Sequence, residues 1–540
     1  MTLADALIAA LKDYGAGEVF GIPGDFALPF FKVLESNRSL ALYTLSHEPA
    51  VGFAADAAAR YRSTIGVACV TYGAGALNMI NPIATAYAEK TPLIVISGAP
   101  GIDERSMELG LHHQVKHLDS QMQIMRELTC AQCVLDDPAT ASREIARVLT
   151  AARRLSRPVY IEFPRNMINA EVDEVPAFEP ATVNKEAANA AATEILGLLQ
   201  EANAPALLLG VEVRRFGLED KVATLCRKLA IPVATSFMGR GTLAETDAPI
   251  AGTYLGLAGE EHIRNLIEGS DGLLMLGVIL CDTNFGVSKR ELDMRHSARA
   301  FDGEVSFAYH TYQDIPLEAL IDALLEQAET LGAAEPVSDS YNLDTGDANA
   351  QIMPADIAAI VSRYLEENSE TPIASDMGDC LFTAMDMKHA ALVAPGYYAT
   401  MGTGIPFGIG LEIASGMRPL VLVGDGAFQM TGWELGNAKR LGLKPIVLLF
   451  NNTAWGMLKA FQKDTGYNDL DDWNFAEVAE NLGGKGQRVS TPAGFSKALA
   501  AAHDDTSCFQ LIEIMLPNDA MSTTLRRFTE TLAKRSALGE

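Results

Sequence analysis

Two groups of residues in this sequence have the types and spacing to do chemistry. In the C-terminal third, Gly424-Asp425-Gly426-Ala427 follows the apolar run "PLVLV", and Asn451-Asn452 follows "PIVLLF". An Asp carboxylate and an Asn amide oxygen are hard ligands. A small set of them suits Mg2+, which completes its octahedron with phosphate oxygens and water. Backbone amides of the glycine turn could cradle a diphosphate beside the ion. In the N-terminal third, Asp25 in "IPGDF", Glu48 in "SHEPA", Thr71 in "TYGAG" and the adjacent imidazoles His112 and His113 supply groups that pass protons. Taken singly, each has a plainer reading: Asp425 as a helix cap, Asp25 as a turn residue, Glu48 as an acid at a helix start, the histidines as a solvated pair. Their joint placement at strand ends favours chemistry.

The elements that must position them follow from the apolar pattern. Pro419–Val423 and Pro445–Phe450 read as buried strands. Met430–Leu443 reads as the helix between them, with Thr431 as its cap and Gly442 near its stop. Strand, helix and strand make a right-handed parallel crossover. That unit puts Asp425 and Asn452 just past the carboxyl ends of parallel strands, although they stand 27 positions apart. Open α/β sheets bind ligands at that rim. In the first third, "GEVFGI", "LYTLS", "GVACVTY", "PLIVIS" and "PVYIEF" read as strands, with helices such as Glu48–Tyr61 between them. The middle offers "PALLLG", "IPVATS" and "DGLLMLG"; "PIASD" and "FQLIEIM" complete the last third. The acidic, Pro-bearing "DEVPAFEPATVNKEA" and the polar stretch 331–351 separate the blocks. The expected fold is α/β: three consecutive doubly wound parallel-sheet domains at 1–170, 186–330 and 352–540. The middle block has no GxGxxG after its first strand, so no dinucleotide is expected there.

Composition bounds the rest. A chain of 540 residues, 48% hydrophobic, can bury several cores. A net charge of −27 argues against generic nucleic-acid or anionic-membrane binding. No apolar run reaches membrane-spanning length. The N-terminal "MTLADALIAALKDYGAGEVF" reads as an amphipathic helix leading to a strand, without a basic leader or small-residue cleavage site. Seven scattered cysteines, with Cys130-Ala-Gln-Cys133 lacking a second ligand pair, suit a reducing cytoplasm. The expectation is a cytoplasmic protein with no nucleic-acid or membrane partner.

Gly424-Asp425-Gly426 followed by Asn451-Asn452 resembles the thiamine diphosphate motif. "FGIPGDF", "HEPAVGFAADAAARY", "TYGAGALNMINPIATAYAEKTPLIVISGAP" and "LHHQ" resemble the pyrimidine-binding half of 2-oxo-acid decarboxylases. "YNDLDDWNFAEVAENLGG" continues the likeness in the diphosphate-binding half. The likeness spans nearly the whole chain and points to the bacterial phenylpyruvate/indolepyruvate group. The resemblance implies thiamine diphosphate and Mg2+ as cofactors. The ion would be held by Asp425, Asn452 and the main-chain carbonyl of Ala454, with Gly424, Gly426 and Ala427 around the diphosphate. Glu48 would bond the aminopyrimidine ring. Met401, in "YYATMGTGIP", would enforce a folded cofactor, a role compatible with a core methionine; the Ala399 carbonyl would accept the pyrimidine amino group. Asp25, His112 and His113 would handle the later protons. A 2-oxo acid cannot simply lose CO2, because the acyl carbanion has no electron sink, and the thiazolium ring supplies one. The implied reaction converts phenylpyruvate or indole-3-pyruvate to the aldehyde plus CO2, through a covalent adduct with the cofactor. Carboligation of the acetolactate-synthase type is the alternative. The resemblance also implies a homotetramer, a dimer of dimers, each active site built from the first block of one subunit and the third of another.

One departure from the wider family is informative. Many pyruvate decarboxylases carry a glutamate six residues after the second Asn; here that position is Leu458, in "AWGMLKAF". With Trp455, Met457 and Phe461 nearby, an apolar pocket favours a bulky substrate side chain, although the same residues could line a helix core. Thr71 is a further candidate for the substrate pocket. Asp282, in "LCDTNFG", resembles a position in the same subgroup and is a candidate gating residue at the site entrance.

Overall fold

Short runs of β-branched and leucine residues, buried on both faces, make sheets in which parallel pairing dominates. The computed structural model describes residues 1–105, 109–285, 292–331 and 341–538. Among these, the first sheet contains β1 (Glu18–Gly21), β2 (Ala41–Thr44), β3 (Gly66–Val70), β4 (Leu93–Ala99), β5 (Ala131–Val134) and β6 (Val159–Pro164). Its order is β2-β1-β3-β4-β6-β5, and every pair is parallel. The second sheet contains β7 (Pro205–Leu209), β8 (Val233–Ser236), β9 (Gly252–Tyr254), β10 (Gly272–Leu276), β11 (Ser297–Phe301), β12 (Glu304–Ser306) and β13 (Thr311–Tyr312). Its order is β13-β12-β11-β10-β7-β8-β9, with antiparallel pairing at β11–β12 and β12–β13. The third contains β14 (Ile373–Ser375), β15 (Leu392–Val393), β16 (Leu420–Gly424), β17 (Ile446–Asn451), β18 (Lys485–Val489) and β19 (Gln510–Met515). Its order is β15-β14-β16-β17-β19-β18, all parallel. The α/β expectation holds, and the antiparallel edge of the second sheet is an addition to it.

The chain divides into two units, Met1–Ala181 with Ile409–Gly416 and Thr182–Gly408 with Met417–Glu540. The second unit contains the second and third sheets. Within it Arg240 spans from the central block to the C-terminal block, donating to the Met387 carbonyl at 2.5 Å and contacting His389 Nδ1 at 2.9 Å. Part of the stretch 331–351, read as a boundary, falls outside the described residues. Among the described residues no helix is long and apolar enough to cross a membrane.

The expected helix Met430–Leu443 needs correction. The helix starts at once after β16, as Asp425–Thr431, with Gly424 as its N-cap. A 3-10 turn follows at Gly432–Asn437, then a short helix Ala438–Leu441 that ends at Gly442 with φ 74°. Thr431 stands at the N-cap position of that 3-10 turn, but its side chain makes no capping hydrogen bond; its hydroxyl donates to the Gly402 carbonyl at 2.9 Å. Cys130 and Cys133 lie at edge strand β5, where residues three apart face opposite sides.

The helix Glu48–Arg62 runs "EPAVGFAADAAARYR", and its small residues let it approach β3 very closely. A Cβ on Gly66 would stand 2.0 Å from the Ala55 carbonyl oxygen. Deep in this contact Arg60 makes a two-pronged pair with Asp56, at 2.6 and 2.9 Å, and a second pair with Glu89 at 2.8 Å. Arg60 and Asp56 are 3% and 0% exposed. Removing one member leaves a buried charge poorly compensated. Asp56→Ala is therefore expected to cost about 3–5 kcal/mol, measured as a lowered urea midpoint.

Candidate active site

In the first unit, the chain leaves β1 through Ile22-Pro23-Gly24 and presents Asp25. β1 and β3 are neighbours where the strand order reverses, the place where open α/β sheets form a crevice. Gly24 lies so close to Thr71 that a Cβ would stand 2.5 Å from the threonine Cβ. The Thr71 hydroxyl donates to Asp25 Oδ1 at 3.4 Å. His112 Nε2 hydrogen-bonds Asp25 Oδ2, and His113 Nε2 lies 3.7 Å from Oδ1. Phe26 stacks on the His112 ring, centroids 4.7 Å apart and planes 18° from parallel. Burial pushes the Asp25 carboxyl up. The hydrogen bond and charge of His112, the Phe26 amide and His113 outweigh it, so the group sits below its ordinary value. An ionised Asp25 orients the imidazole that it faces. His112 is 60% exposed and His113 35%, so both can exchange protons with a ligand or solvent.

Glu48 opens its helix immediately after β2. Its Oε2 accepts a hydrogen bond from Asn78 Nδ2 at 2.9 Å. A Cβ on Gly75 would lie 3.6 Å from its Oε1, and a Cβ on Gly73 would lie 2.2 Å from the His113 carbonyl oxygen. The turn Thr71–Gly75 thus touches Asp25, His113 and Glu48 alike. Three separately read sequence features converge on it.

In the second unit, Asp425 follows β16 and is 3% exposed. Oδ1 accepts from the Gly426 amide at 2.8 Å and Oδ2 from the Ala454 amide at 3.2 Å. Burial pushes its carboxyl up to about 7, against the pull of those amides and that of Thr453. Asn451 and Asn452 divide the work at the end of β17. Asn451 is an anchor: its amide donates to buried Glu513 at 2.7 Å, and its oxygen accepts from the Thr453 amide at 3.1 Å. Asn452 is nearly buried, and among the described residues its side chain makes no hydrogen bond. The Ala454 carbonyl accepts from the Gly456 amide at 2.8 Å and keeps a second lone pair. A buried carboxylate with no cationic side chain among its described neighbours, an uncommitted amide and a main-chain carbonyl fit a small hard cation. A Cβ on Gly424 would meet nothing within 4 Å, whereas one on Gly426 would stand 2.3 Å from the Trp455 ring. Ala427 is buried in the first turn of the helix.

The loop carrying Ala399 and Met401 is braced by a residue that the sequence reading passed over. Asp376, at the end of β14, is fully buried and accepts from the amides of Met377, Gly402 and Gly404 at 2.8, 3.0 and 2.6 Å. Burial pushes it up to about 7 against those amides. Its place in "PIASD", just past a strand, is the same signal that marked Asp425. Asn78 was also missed, because nothing local to it announces its partner Glu48. Ala399 has φ 58°, a left-handed conformation that is uncommon for a residue with a Cβ. Met401 and Met457 pack on one apolar cluster that includes Met377, Phe382 and Phe528. Leu458 and Phe461 are exposed on the helix Gly456–Phe461, with Phe461 edge-on to Phe528 at 5.8 Å. The Asp282 carboxylate accepts from the Thr283 amide at 2.8 Å, at the start of its own 3-10 turn.

Comparison with known proteins agrees with this layout. The chain matches the thiamine pyrophosphate enzyme N-terminal TPP binding domain over residues 1–124, the central domain over 192–327 and the C-terminal TPP binding domain over 376–514. It is 56% identical over 534 residues to an indole-3-pyruvate decarboxylase of Azospirillum brasilense, covering 98% of each chain. It is 28% identical over 553 residues to an alpha-keto-acid decarboxylase of Mycobacterium tuberculosis, covering 98% of this chain and 97% of that one. An alpha-keto-acid decarboxylase of Mycobacterium avium is 27% identical over 537 residues, with 96% and 94% covered.

Asp376 and Asp425 both sit near 7 in the fold, against an ordinary 3.8. Between these values the folded chain holds protons that the unfolded chain has released. Their stabilisation is full below about pH 4 and is lost as pH rises through about 7. Without divalent cation, the melting temperature is expected to fall from about pH 5 to about pH 8. Asp425→Asn, which carries no titrating proton, should flatten part of that fall in calorimetry.

Proposed function

The chain belongs to the thiamine-diphosphate-dependent 2-oxo-acid decarboxylases, and from that premise we propose that it decarboxylates aromatic 2-oxo acids, indole-3-pyruvate and phenylpyruvate, to their aldehydes. The observation that carries the substrate choice is Leu458. It stands 54% exposed on the helix after the Asn pair, where many pyruvate decarboxylases have an acid. Trp455 and Phe461 flank it and supply apolar surface for a ring. The name of the Azospirillum relative supports the indolyl substrate.

Mg2+ is the proposed ion, held by Asp425, Asn452 and the Ala454 carbonyl. Gly424, Gly426 and Ala427 form the diphosphate turn. Glu48, oriented by Asn78, bonds the pyrimidine ring; the Ala399 carbonyl takes its amino group, and Met401 supports the folded cofactor. When bound, the cofactor's thiazolium ring is the electron sink for loss of CO2. Asp25 holds the His112 ring, and the two histidines deliver the proton that replaces the carboxylate and take up the hydroxyl proton as the aldehyde leaves. Thr71 fixes Asp25 beside the substrate. Asp282 is assigned to gating of the entrance, on its resemblance alone.

The working form is a homo-oligomer, a dimer of dimers with active sites shared between subunits. Exposed Met430 and Trp433, near the diphosphate turn in sequence, and Trp473, whose ring lies 6.2 Å from that of Trp433, offer apolar surface for such pairing. The domains are assigned to 1–170, 186–330 and 352–540, and the location to the cytoplasm.

The test is aldehyde formation from indole-3-pyruvate, phenylpyruvate and pyruvate, with and without thiamine diphosphate and Mg2+. Cofactor-dependent aldehyde from the two aromatic acids and little from pyruvate is expected; Leu458→Glu should shift preference towards pyruvate. A preference for pyruvate in the unaltered chain would sink the substrate assignment, and acetolactate-type products would replace decarboxylation by carboligation. His112→Ala should lower kcat by about 10²–10⁴-fold, with cofactor binding intact by calorimetric titration.

A further inference from the structure

Behind the Thr71–Gly75 turn lies a run of buried polar groups that the proposed reaction does not use. Gln121, on the helix Ser120–Leu128, is 1% exposed, and its Oε1 accepts from the Gly73 amide at 2.7 Å. The amide can only donate, so this contact fixes which end of the Gln121 side chain is oxygen. The Gln121 nitrogen must then donate, and it reaches the Tyr160 hydroxyl at 2.5 Å and the Ser97 hydroxyl at 3.3 Å. Tyr160, fully buried on β6, must pass its own proton onward and donates to Glu162 Oε1 at 3.1 Å. Glu162 Oε2 pairs with Arg105 at 3.4 Å.

The two ends of this chain of contacts are the two ends of one segment. Arg105 precedes the histidine pair and Gln121 follows it. Both are tied to neighbouring side chains of the same strand, so β6 anchors the loop that bears His112 and His113 from both sides. The Gly73 end matters most. His113 has φ 66°, a conformation that persists only where surroundings over-determine it. Its carbonyl lies directly against Gly73, where a Cβ would be 2.2 Å away.

We propose that Gln121, Tyr160 and Glu162 are positioning residues, which set the Gly73 turn and with it the placement of His112 and His113 against Asp25. The proposal rests on the proton-handling role given to that pair only for its effect on turnover. Glu162 is faced by Arg105, Asp119, Tyr72 and Tyr160, and burial raises its carboxyl above the ordinary range. Asp25 is faced by both histidines, and Glu104, which feels the His112 charge, is paired with Arg165.

Tyr160→Phe tests this. It keeps the ring and its packing, and removes only the hydroxyl that joins Gln121 to Glu162. The full chain, loaded with thiamine diphosphate and Mg2+, is treated with diethyl pyrocarbonate, and modification of His112 and His113 is followed by peptide mass spectrometry across pH. In parallel, kcat and KM for indole-3-pyruvate are measured over the same pH range. A shifted modification profile at the pair is expected, with kcat lowered about tenfold or more and an unchanged cofactor requirement. Gln121→Ala should shift the profile in the same direction. Modification profiles in Tyr160→Phe that superimpose on those of the parent chain overturn the inference, whatever the activity does. A shifted profile with unchanged kcat upholds the positioning role and removes the pair from the proton chemistry instead.

Discussion

One backbone turn governs the first unit. Gly73 has φ 66° and ψ −105°, and the space beside it is filled by the His113 backbone. Only glycine combines that conformation with that approach. The strand before it ends where the order of the sheet reverses, so the turn, which leaves β3, lies beside the loop after β1. Thr71 reaches Asp25, Gly73 meets His113, and Gly75 lies under Glu48. An acid and an imidazole from loops nearly ninety positions apart in sequence become hydrogen-bond partners because one turn leaves no other room. Positioning here is a matter of exclusion as much as attraction.

The second unit repeats a different device. Asp376 and Asp425 each follow a parallel strand, are buried, and accept backbone amides. Burial penalises the charge and the amides favour it, and the balance leaves both near 7. What separates them is spare accepting capacity. Asp376 is committed to three amides on two stretches of chain, so it is a brace for the loop around Met401. Asp425 accepts from only two in the hydrogen-bond geometry and lies beside the uncommitted Asn452 amide. A carboxylate offers about four acceptor positions, so Asp425 keeps more accepting capacity for a cation than Asp376 does.

Much of this was legible in the sequence, for a physical reason. The strands that carry Asp25, Thr71, Asp425 and Asn452 are internal to their sheets and almost wholly buried, so apolar residues dominate them. The two edge strands of the third sheet were not legible. β18 reads "KGQRV" and β15 has two residues; each is half solvated and held by pairing with one neighbour, so hydrophobicity does not mark them. The expected start of the helix at Met430 lies five residues late: the glycines flanking Asp425 read as a sharp turn, whereas Gly424 caps a helix that starts immediately. Asn78, Gln121 and Tyr160 share another cause of invisibility. Each takes its role from a partner at least thirty positions away, and the type of an isolated polar residue says nothing of that partner.

Burial also decides which histidines can work. His389 is enclosed in the second unit, where Arg240 contacts Nδ1 and Nε2 lies 3.0 Å from the Thr242 carbonyl. Burial, then the Arg240 charge, push it down to about 3, so it stays neutral at any ordinary pH and serves as a fixed hydrogen-bonding strut. His310 and His296 face Glu194 and Asp293 at the surface of the central block, within reach of carboxylates but of no turn at a sheet's carboxyl rim. His112, with His113 beside it, combines an ionised carboxylate, a stacked aromatic wall and access to solvent; His310 likewise faces a carboxylate, stacks on Phe307 and is exposed, but it lies in the antiparallel hairpin at the edge of the second sheet rather than beside a turn that follows a parallel strand. A proton shuttle needs all three: an orienting charge, a fixed ring plane and a route for exchange. The adjacency of the two imidazoles in sequence was the visible signal, but the carboxylate beneath them is what makes the pair a candidate for chemistry.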